Sequence, residues 1–438
     1  MPNPYKPLGS QELLRVPVPH SNLLLDSVTQ CLKSDVLAKW IPHSLDHRVG
    51  GFQQDFAEDW STIDDGSRDV VFQSRLIWLA SKAAQHFSDE AESYIKFAEH
   101  GVNFLTTKLW DHNANGFFWR FPSHPGEPTE KHAYGNAFAI YALSAHYNTM
   151  GESRSLDAAK AAFYWLENEL HDSKHLGYFE VERSRTDLCE KAFEPDPCWP
   201  ISNQPGKDAI GTPPNLKSMN THIHLLEAFT ELQEAWPDLL LKERLSEIYE
   251  LVLTKIFHPD GFLFPYLSAD WKPIPTEDSY GHDIETAFLI LEAAQSVGFD
   301  MERAWTVART IVDHTLSVAE DQTRGGFYDH GDPYHGPESE EGRQKIWWVQ
   351  AEALNALLIM HQKFGYETNA YWEAFLRQWE FIQNHQVDKE FGGWFRAVSA
   401  DGRKLLGATK GDEWTEGYHQ GRALMGVSTR LRNDQTAS

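Results

Sequence analysis

Hydrophobic residues recur at three- and four-residue spacing over ten stretches: 68–87, 91–109, 131–149, 153–170, 217–235, 238–256, 278–297, 301–317, 343–365 and 367–386. That spacing places the apolar side chains on one face of an α-helix. A first helix near 21–43 and a last near 415–431 bring the number to twelve. Between successive pairs runs a short glycine-aromatic segment: GGFQQDF from Gly50, GFFWRF from Gly116, LGYFEVE from Leu176, GFLFPYLSADWKP from Gly261, GGFYDHGD from Gly325 and GGWFRAVSADGRK from Gly392. Glycine at the bend and aromatics alternating along the arms predict β-hairpins or extended turns.

The glycines fall at 50, 116, 177, 261, 325 and 392, so the gaps are 66, 61, 84, 64 and 67 residues. The long gap contains CEKAFEPDPCWPISNQPGKDAIGTPP, a polar, proline-rich loop. Repeats of this length build arrays in which each unit buries its apolar face against its neighbours. Six helix pairs with one hairpin per pair predict an all-α (α/α)6 barrel, a toroid of six inner and six outer helices with short hairpins at one face. A closed ring needs no capping repeats, and neither terminus looks like a cap; an open solenoid is the alternative. One catalytic domain is expected over 1–438, with an N-terminal extension at about 1–20 and a tail at 432–438.

Composition narrows the partners. Apolar content of 41 % with 13 % aromatics fills a core. The net charge of −25 repels phosphate backbones and anionic lipid, which argues against nucleic acid and membrane and favours a neutral small molecule. Three cysteines, Cys31, Cys189 and Cys198, are too few and too irregular for a disulfide framework. The first twenty residues lack the apolar core of a signal peptide, and no stretch of ~18 apolar residues exists. A cytoplasmic globular protein, monomer or homodimer, is expected.

The helix after each hairpin carries unusual polar residues near its start: Gln73 and Arg75; Tyr134 and Asn136; Asn220, His222 and His224; His282, Asp283 and Glu285; Trp347, Trp348 and Glu352; Trp414, Tyr418 and His419. Six helix N-termini thus converge on one mouth. Asn220 and His224, four apart, share a helical face. His282 and Glu285, three apart, can bond each other or share a substrate hydroxyl. His222 points elsewhere and reads as structural. Neutral imidazoles can remove and return the proton beside a sugar aldehyde. Arg75 can stabilise the enediolate oxygen that results. HIH is a poor zinc pair on a helix, where residues two apart diverge, and HExxH is absent, so no metal is expected. Phosphate loops, dinucleotide fingerprints and nucleophile elbows are also absent, so no cofactor is implied.

The segments KSMNTHIHLLEAFT, SYGHDIETAFLILEAA, WWVQAEAL and the W-x4-H ending at His419 resemble the N-acylglucosamine 2-epimerase superfamily, nearest its cellobiose 2-epimerase branch. The likeness runs from about Gly50 to about Leu431. It implies an (α/α)6 barrel, with His282 and His419 as the acid–base pair at sugar C2 and His224 beside them for ring opening or hydroxyl binding. Arg75 would contact the enediolate, while Asn220, Glu285, Trp348, Glu352 and Trp414 match binding residues, and Tyr134 joins them from its helix. The aldose–ketose isomerases of the superfamily read NxNMH where this chain reads NTHIH, which favours 2-epimerisation. Phe288 stands where tryptophan is common, and Glu416–Gly417 where KCPYH supplies other residues; these departures leave a mono- or disaccharide substrate open. Competing readings are an aldose–ketose isomerase of the mannose-to-fructose type, an inverting glycoside hydrolase using Glu285 and Glu352, and a non-catalytic carbohydrate- or protein-binding module.

Overall fold

The computed structural model describes residues 18–63, 66–121, 130–181, 207–405 and 407–436. Most of the expected N-terminal extension, residues 1–17, and most of the insertion, Cys189 and Cys198 included, lie outside the described residues.

The expected helices form. The first outer helix comprises α1 (Val18–Cys31), a π-helical turn (Leu32–Leu37) and α2 (Ala38–Ser44). In chain order follow α3 (Val70–His86), α4 (Ala91–Phe104), α5 (Ala133–Met150), α6 (Ser153–Glu169), α7 (Met219–Ala235) and α8 (Leu239–Leu251). Then come α9 (Tyr280–Val297), α10 (Met301–Val318), α11 (Trp347–Phe364), α12 (Ala370–Phe381) and α13 (Tyr418–Thr436). The last helix runs on through part of the expected tail.

The odd-numbered helices from α3 to α13 make the inner ring. Each touches the next, and α13 touches α3, which closes the circle. These helices are buried on almost every side; α11 buries both apolar and polar faces, from Trp347 to Phe364. All-round burial explains why their apolar pattern is broad rather than striped. The outer helices α4, α6, α8, α10 and α12 each cover the inner helix beside them, and α1 covers α13. The architecture is the expected (α/α)6 barrel.

The hairpins form in all six repeats. Equivalent antiparallel bridges join Leu45 to Phe52, Trp110 to Phe117, His171 to Tyr178, Phe257 to Leu263, Glu320 to Phe327 and Val387 to Trp394. The turn glycines adopt positive φ, from 67° at Gly51 to 109° at Gly261. At Gly116 a Cβ would also meet the Trp165 ring at 2.6 Å, so only glycine fits.

Hairpin arms then stitch neighbouring repeats together. The segment before α3 pairs with the next repeat's arm (Asp69 with Arg120), and the pattern continues through His132–Val181, Lys217–Leu267, Ser279–His330 and Ile346–Ala397. Phe56 with Gly411 joins the last repeat to the first. The ring is therefore closed twice, by helix packing and by backbone pairing.

The fourth residue of the inner helices holds the preceding hairpin. Gln73 accepts Phe52 N–H at 2.7 Å, Asn136 accepts Phe117 N–H at 2.8 Å, His222 Nε2 accepts Tyr178 N–H at 3.1 Å, Asp283 accepts Leu263 N–H at 3.0 Å and Gln350 accepts Phe327 N–H at 2.8 Å. In the sixth repeat this position is Gly421, and Gln386 bonds Phe395 O instead. Several polar residues near the helix starts thus serve the scaffold.

Among the described residues no helix is long and apolar enough to cross a membrane. Cys31 is a free, buried thiol.

Candidate active site

The mouth of the inner ring opens into a cavity of about 490 Å³ lined by Arg75, Tyr134, Asn220, His224, His282, Glu285, Trp348, Trp414 and His419. Nine of the ten expected site residues therefore meet there. The tenth, Glu352, is fully buried behind His419. A second cavity of about 490 Å³ adjoins the first and shares Ile210, Asn220, Ser279, His282 and His330 with it. Ile210, from the described end of the insertion, thus borders both.

Each imidazole is held through Nδ1. His224 Nδ1 lies 2.9 Å from Glu227 Oε2, His282 Nδ1 lies 2.7 Å from Ser279 Oγ, and His419 Nδ1 lies 2.6 Å from Glu352 Oε1. This leaves Nε2 as the nitrogen available to a ligand. Trp348 packs between two of the rings, with centroids 4.7 Å from His282 and 5.5 Å from His419. Gly281 makes that packing possible, because a Cβ there would strike the Trp348 ring.

Burial, reinforced by His224 and Arg75, lowers His282 to about 3, so its ring stays neutral through the physiological range. Burial also takes His419 well below the usual histidine value, with Arg75 and Arg422 adding to the effect. Two neutral imidazoles on one cavity are equipped to move protons without carrying charge at rest.

The spacing pattern missed the centre of this arrangement, Arg422. Its guanidinium is buried and donates to Glu227, to Glu285, to Glu352 at 2.7 Å and to Tyr418 Oη at 2.5 Å. Glu227 sits three residues after His224, and Arg422 three after His419, so helical spacing carried the signal. Burial tends to raise the Glu227 carboxyl, but Arg422 and the His224 contact hold it at about 2. Burial raises Glu352 to about 8 despite Arg422, and Glu285 adds repulsion.

Two expected pairings change. Glu285 bonds Arg422 rather than His282, which bonds Ser279. Glu285 and Glu352 also accept from the same Arg422 nitrogen, so they do not stand as the opposed carboxylates an inverting hydrolase needs. The HIH residues diverge as helical geometry requires: His222 is bonded to the hairpin and His224 lines the cavity.

Arg75 is buried, 3.3 Å from Glu416 and 3.1 Å from Tyr134 Oη. Its guanidinium lies 4.4 Å from the Phe138 ring centre. Burial raises Glu416 to about 7 against the pull of Arg75. Glu416 thus pairs with the arginine instead of lining the cavity, and Phe288 lies under Arg422 at 4.9 Å. Asn220 Oδ1 has no protein partner, which leaves an acceptor for a hydroxyl group. Asp329, His330, Trp347 and Arg396 also line the cavity, although the sequence pattern gave no reason to single out Asp329, His330 or Arg396.

A family model for N-acylglucosamine 2-epimerase (GlcNAc 2-epimerase) matches residues 50–193 and 202–423. The chain is 27 % identical over 414 residues to cellobiose 2-epimerase from Bacteroides fragilis, covering 91 % of this chain and 97 % of that protein. It is 24 % identical over 379 residues to D-mannose isomerase from Marinomonas mediterranea, covering 83 % and 86 %. The solved structure of cellobiose 2-epimerase from Spirochaeta thermophila superposes with a TM-score of 0.80 at 28 % identity, covering 95 % of this chain and 98 % of that one.

Proposed function

The chain belongs to the N-acylglucosamine 2-epimerase family and is a carbohydrate epimerase or isomerase, and from that premise we propose that it interconverts glucose- and mannose-configured sugars at C2. The substrate is a free sugar or the reducing end of a disaccharide such as cellobiose. The observation that carries this reading is the meeting of three imidazoles on one cavity, each with Nδ1 engaged and Nε2 left for the ligand.

The steps follow from those contacts. Ionised Glu227 accepts Nδ1–H of His224, so His224 Nε2 presents a lone pair that can take the O1 proton as the ring opens. Of His282 and His419, one removes the C2 proton and the other delivers a proton to the opposite face. Between these steps the negative charge rests on the enediolate oxygen, which Arg75 stabilises. Asn220, Tyr134 and Glu285 bind hydroxyls, while Trp348 and Trp414 offer faces for the sugar ring. No redox step arises, so the chemistry needs no cofactor.

The Glu352–His419 contact lets one residue serve both directions. With the shared proton on Nδ1, His419 Nε2 is a base; with it on Glu352, Nε2–H is an acid. Glu352 acts through His419 as a positioning residue.

A second reading returns the proton to C1 and makes a ketose. The likeness to D-mannose isomerase favours it, and the same residues could run it. NMR of mannose, glucose and cellobiose in heavy water with the purified protein separates the two. Deuterium at C2 of the epimeric product supports 2-epimerisation; fructose as the sole product from mannose rejects it. No exchange at any sugar C2 would reject both.

A further inference from the structure

Five of the six repeats place a cation beneath their hairpin. Arg68 pairs with Asp46, Lys131 with Asp111 at 3.0 Å, Lys217 with Asp172 at 2.8 Å, Lys345 with Asp321 at 2.9 Å and Lys410 with Asp388 at 2.5 Å. The first four of these cations stand two residues before an inner helix. The fourth repeat breaks the rule. Asp278 occupies the position of the cation, and His258 replaces the hairpin aspartate.

The fourth helix position deviates in the same repeat. Gln73, Asn136 and Gln350 accept a hairpin N–H and return their own amide N–H to the Phe52, Phe117 and Phe327 carbonyls. Asp283 has no N–H to return. Its Oδ1 takes Leu263 N–H, and its Oδ2 has no hydrogen-bond partner. Asp278, 2 % exposed, faces the Asp283 carboxyl, 0 % exposed, and beyond that contact and the Ser279 backbone N–H neither of its oxygens has a partner. No lysine or arginine forms an ion pair with either carboxylate among the described residues.

His314 on α10 completes the cluster. Its Nε2 donates to Pro333 O at 2.6 Å, so Nδ1 carries a bare lone pair. That nitrogen is unpartnered, 4.0 Å from Asp283 Oδ2, on a side chain 8 % exposed. One ligand atom from each of Asp278, Asp283 and His314 lies within 4.8 Å of the others.

We propose that Asp278, Asp283 and His314 bind one divalent metal ion of the nitrogen-and-oxygen-seeking class, represented by Zn²⁺, Mn²⁺ or Co²⁺. The ion stands in for the ammonium that the other repeats carry beneath their hairpins. Two carboxylates and an imidazole suit these ions better than Ca²⁺ or Mg²⁺, which prefer all-oxygen sites. A proton shared between the aspartates would neutralise one charge, but it would leave the His314 lone pair unmet. One cation satisfies all three groups.

Two other clusters of this size already hold a proton or a cation for their carboxylates. His132 Nδ1 accepts Tyr134 N–H, so its Nε2 carries the proton and donates to Asp208 at 3.0 Å. Glu285, Glu352 and His419 surround Arg422, which supplies their positive charge. At the proposed site Asp278 also lines the outer cavity, giving an ion a way in. Ser279, next in the chain, bonds His282, so the ion anchors a strand that positions a cavity imidazole.

The test is Co²⁺ titration of the full-length protein after EDTA treatment and dialysis. One Co²⁺ per chain is expected, with visible d–d absorption and a raised melting temperature. Asp278→Asn and His314→Gln should each weaken binding by roughly 100-fold. Asp278→Lys, which restores the residue type of the other repeats, should fold, take up no Co²⁺ and melt independently of the metal. Absence of stoichiometric uptake up to about 1 mM Co²⁺ overturns the proposal, as does an unchanged Co²⁺ spectrum in these variants.

Discussion

Glu352 and His419 share a 2.6 Å hydrogen bond behind the cavity, and the same carboxylate oxygen also accepts Arg422 Nη2 at 2.7 Å. On the proposed mechanism the glutamate acts through His419, setting which of its nitrogens carries the proton. Glu352→Gln keeps the shape and loses the exchangeable proton. The expected result is a fall in kcat of about 100-fold, with little change in KM and a flattened pH profile. Initial rates across pH 5–9 check this. A raised KM at unchanged kcat would return Glu352 to a binding role.

Arg422 donates to three buried glutamates on three helices. Replacing it with methionine takes the guanidinium from all three: Glu285 loses its hydrogen-bond donor, while Glu227 keeps His224 and Tyr418 and Glu352 keeps His419. Removing one member of a buried ionic cluster costs about 3–5 kcal/mol. Arg422→Met should therefore lower the urea midpoint strongly, and Glu227→Gln in the same background should restore part of the loss. A variant as stable as the parent would show that the cluster is not ionised as drawn.

Much of the architecture was legible because it repeats. Six glycine-aromatic turns at similar spacing reveal six units, and twelve apolar patterns reveal their helices. The site residues were legible because each of the six hairpins precedes a helix with polar residues near its N-terminus. Two kinds of information were not. Gln73, Asn136, His222, Asp283 and Gln350 share one scaffold task, which appears only when the hairpins are seen packed against them. Arg422 joins helices far apart in sequence, and no local pattern says where a guanidinium will meet three carboxylates. The π-helical turns that end α4, α8 and α12 also lack a readable signal, since one extra residue per turn leaves the apolar spacing nearly unchanged.

Glu416 is raised to about 7 from 4.5, mainly by burial. A carboxyl with a raised folded value holds its proton in the folded state after the unfolded chain has released it. Stability is then lost as pH rises from about 5 to about 8. Glu416→Gln removes this loss, so its melting temperature should exceed the parent's more at pH 8 than at pH 5. The same change frees Arg75 from a competing anion and should raise kcat/KM more at pH 8 than at pH 6. A constant difference in melting temperature across that range would count against burial of the Glu416 carboxyl as the cause.

His222 offers a sharper test of how the scaffold works, because two other repeats already use glutamine at its position. Gln73 and Gln350 accept the hairpin N–H that His222 accepts through Nε2. His222→Gln should therefore fold with near-parental stability at pH 7.5, whereas His222→Ala leaves Tyr178 N–H buried and unpaired at a cost of about 1–3 kcal/mol. The two variants should also diverge from the parent in acid. Burial lowers His222 to about 4 from 6.5, so the unfolded chain gains a proton that the folded chain refuses, and stability falls between pH 6.5 and pH 4. Glutamine does not titrate, so His222→Gln should lose less stability than the parent over that interval in urea unfolding. Equal acid sensitivity in both would mean that His222 takes up its proton while still folded, and that its bond to Tyr178 is not what keeps the hairpin in place.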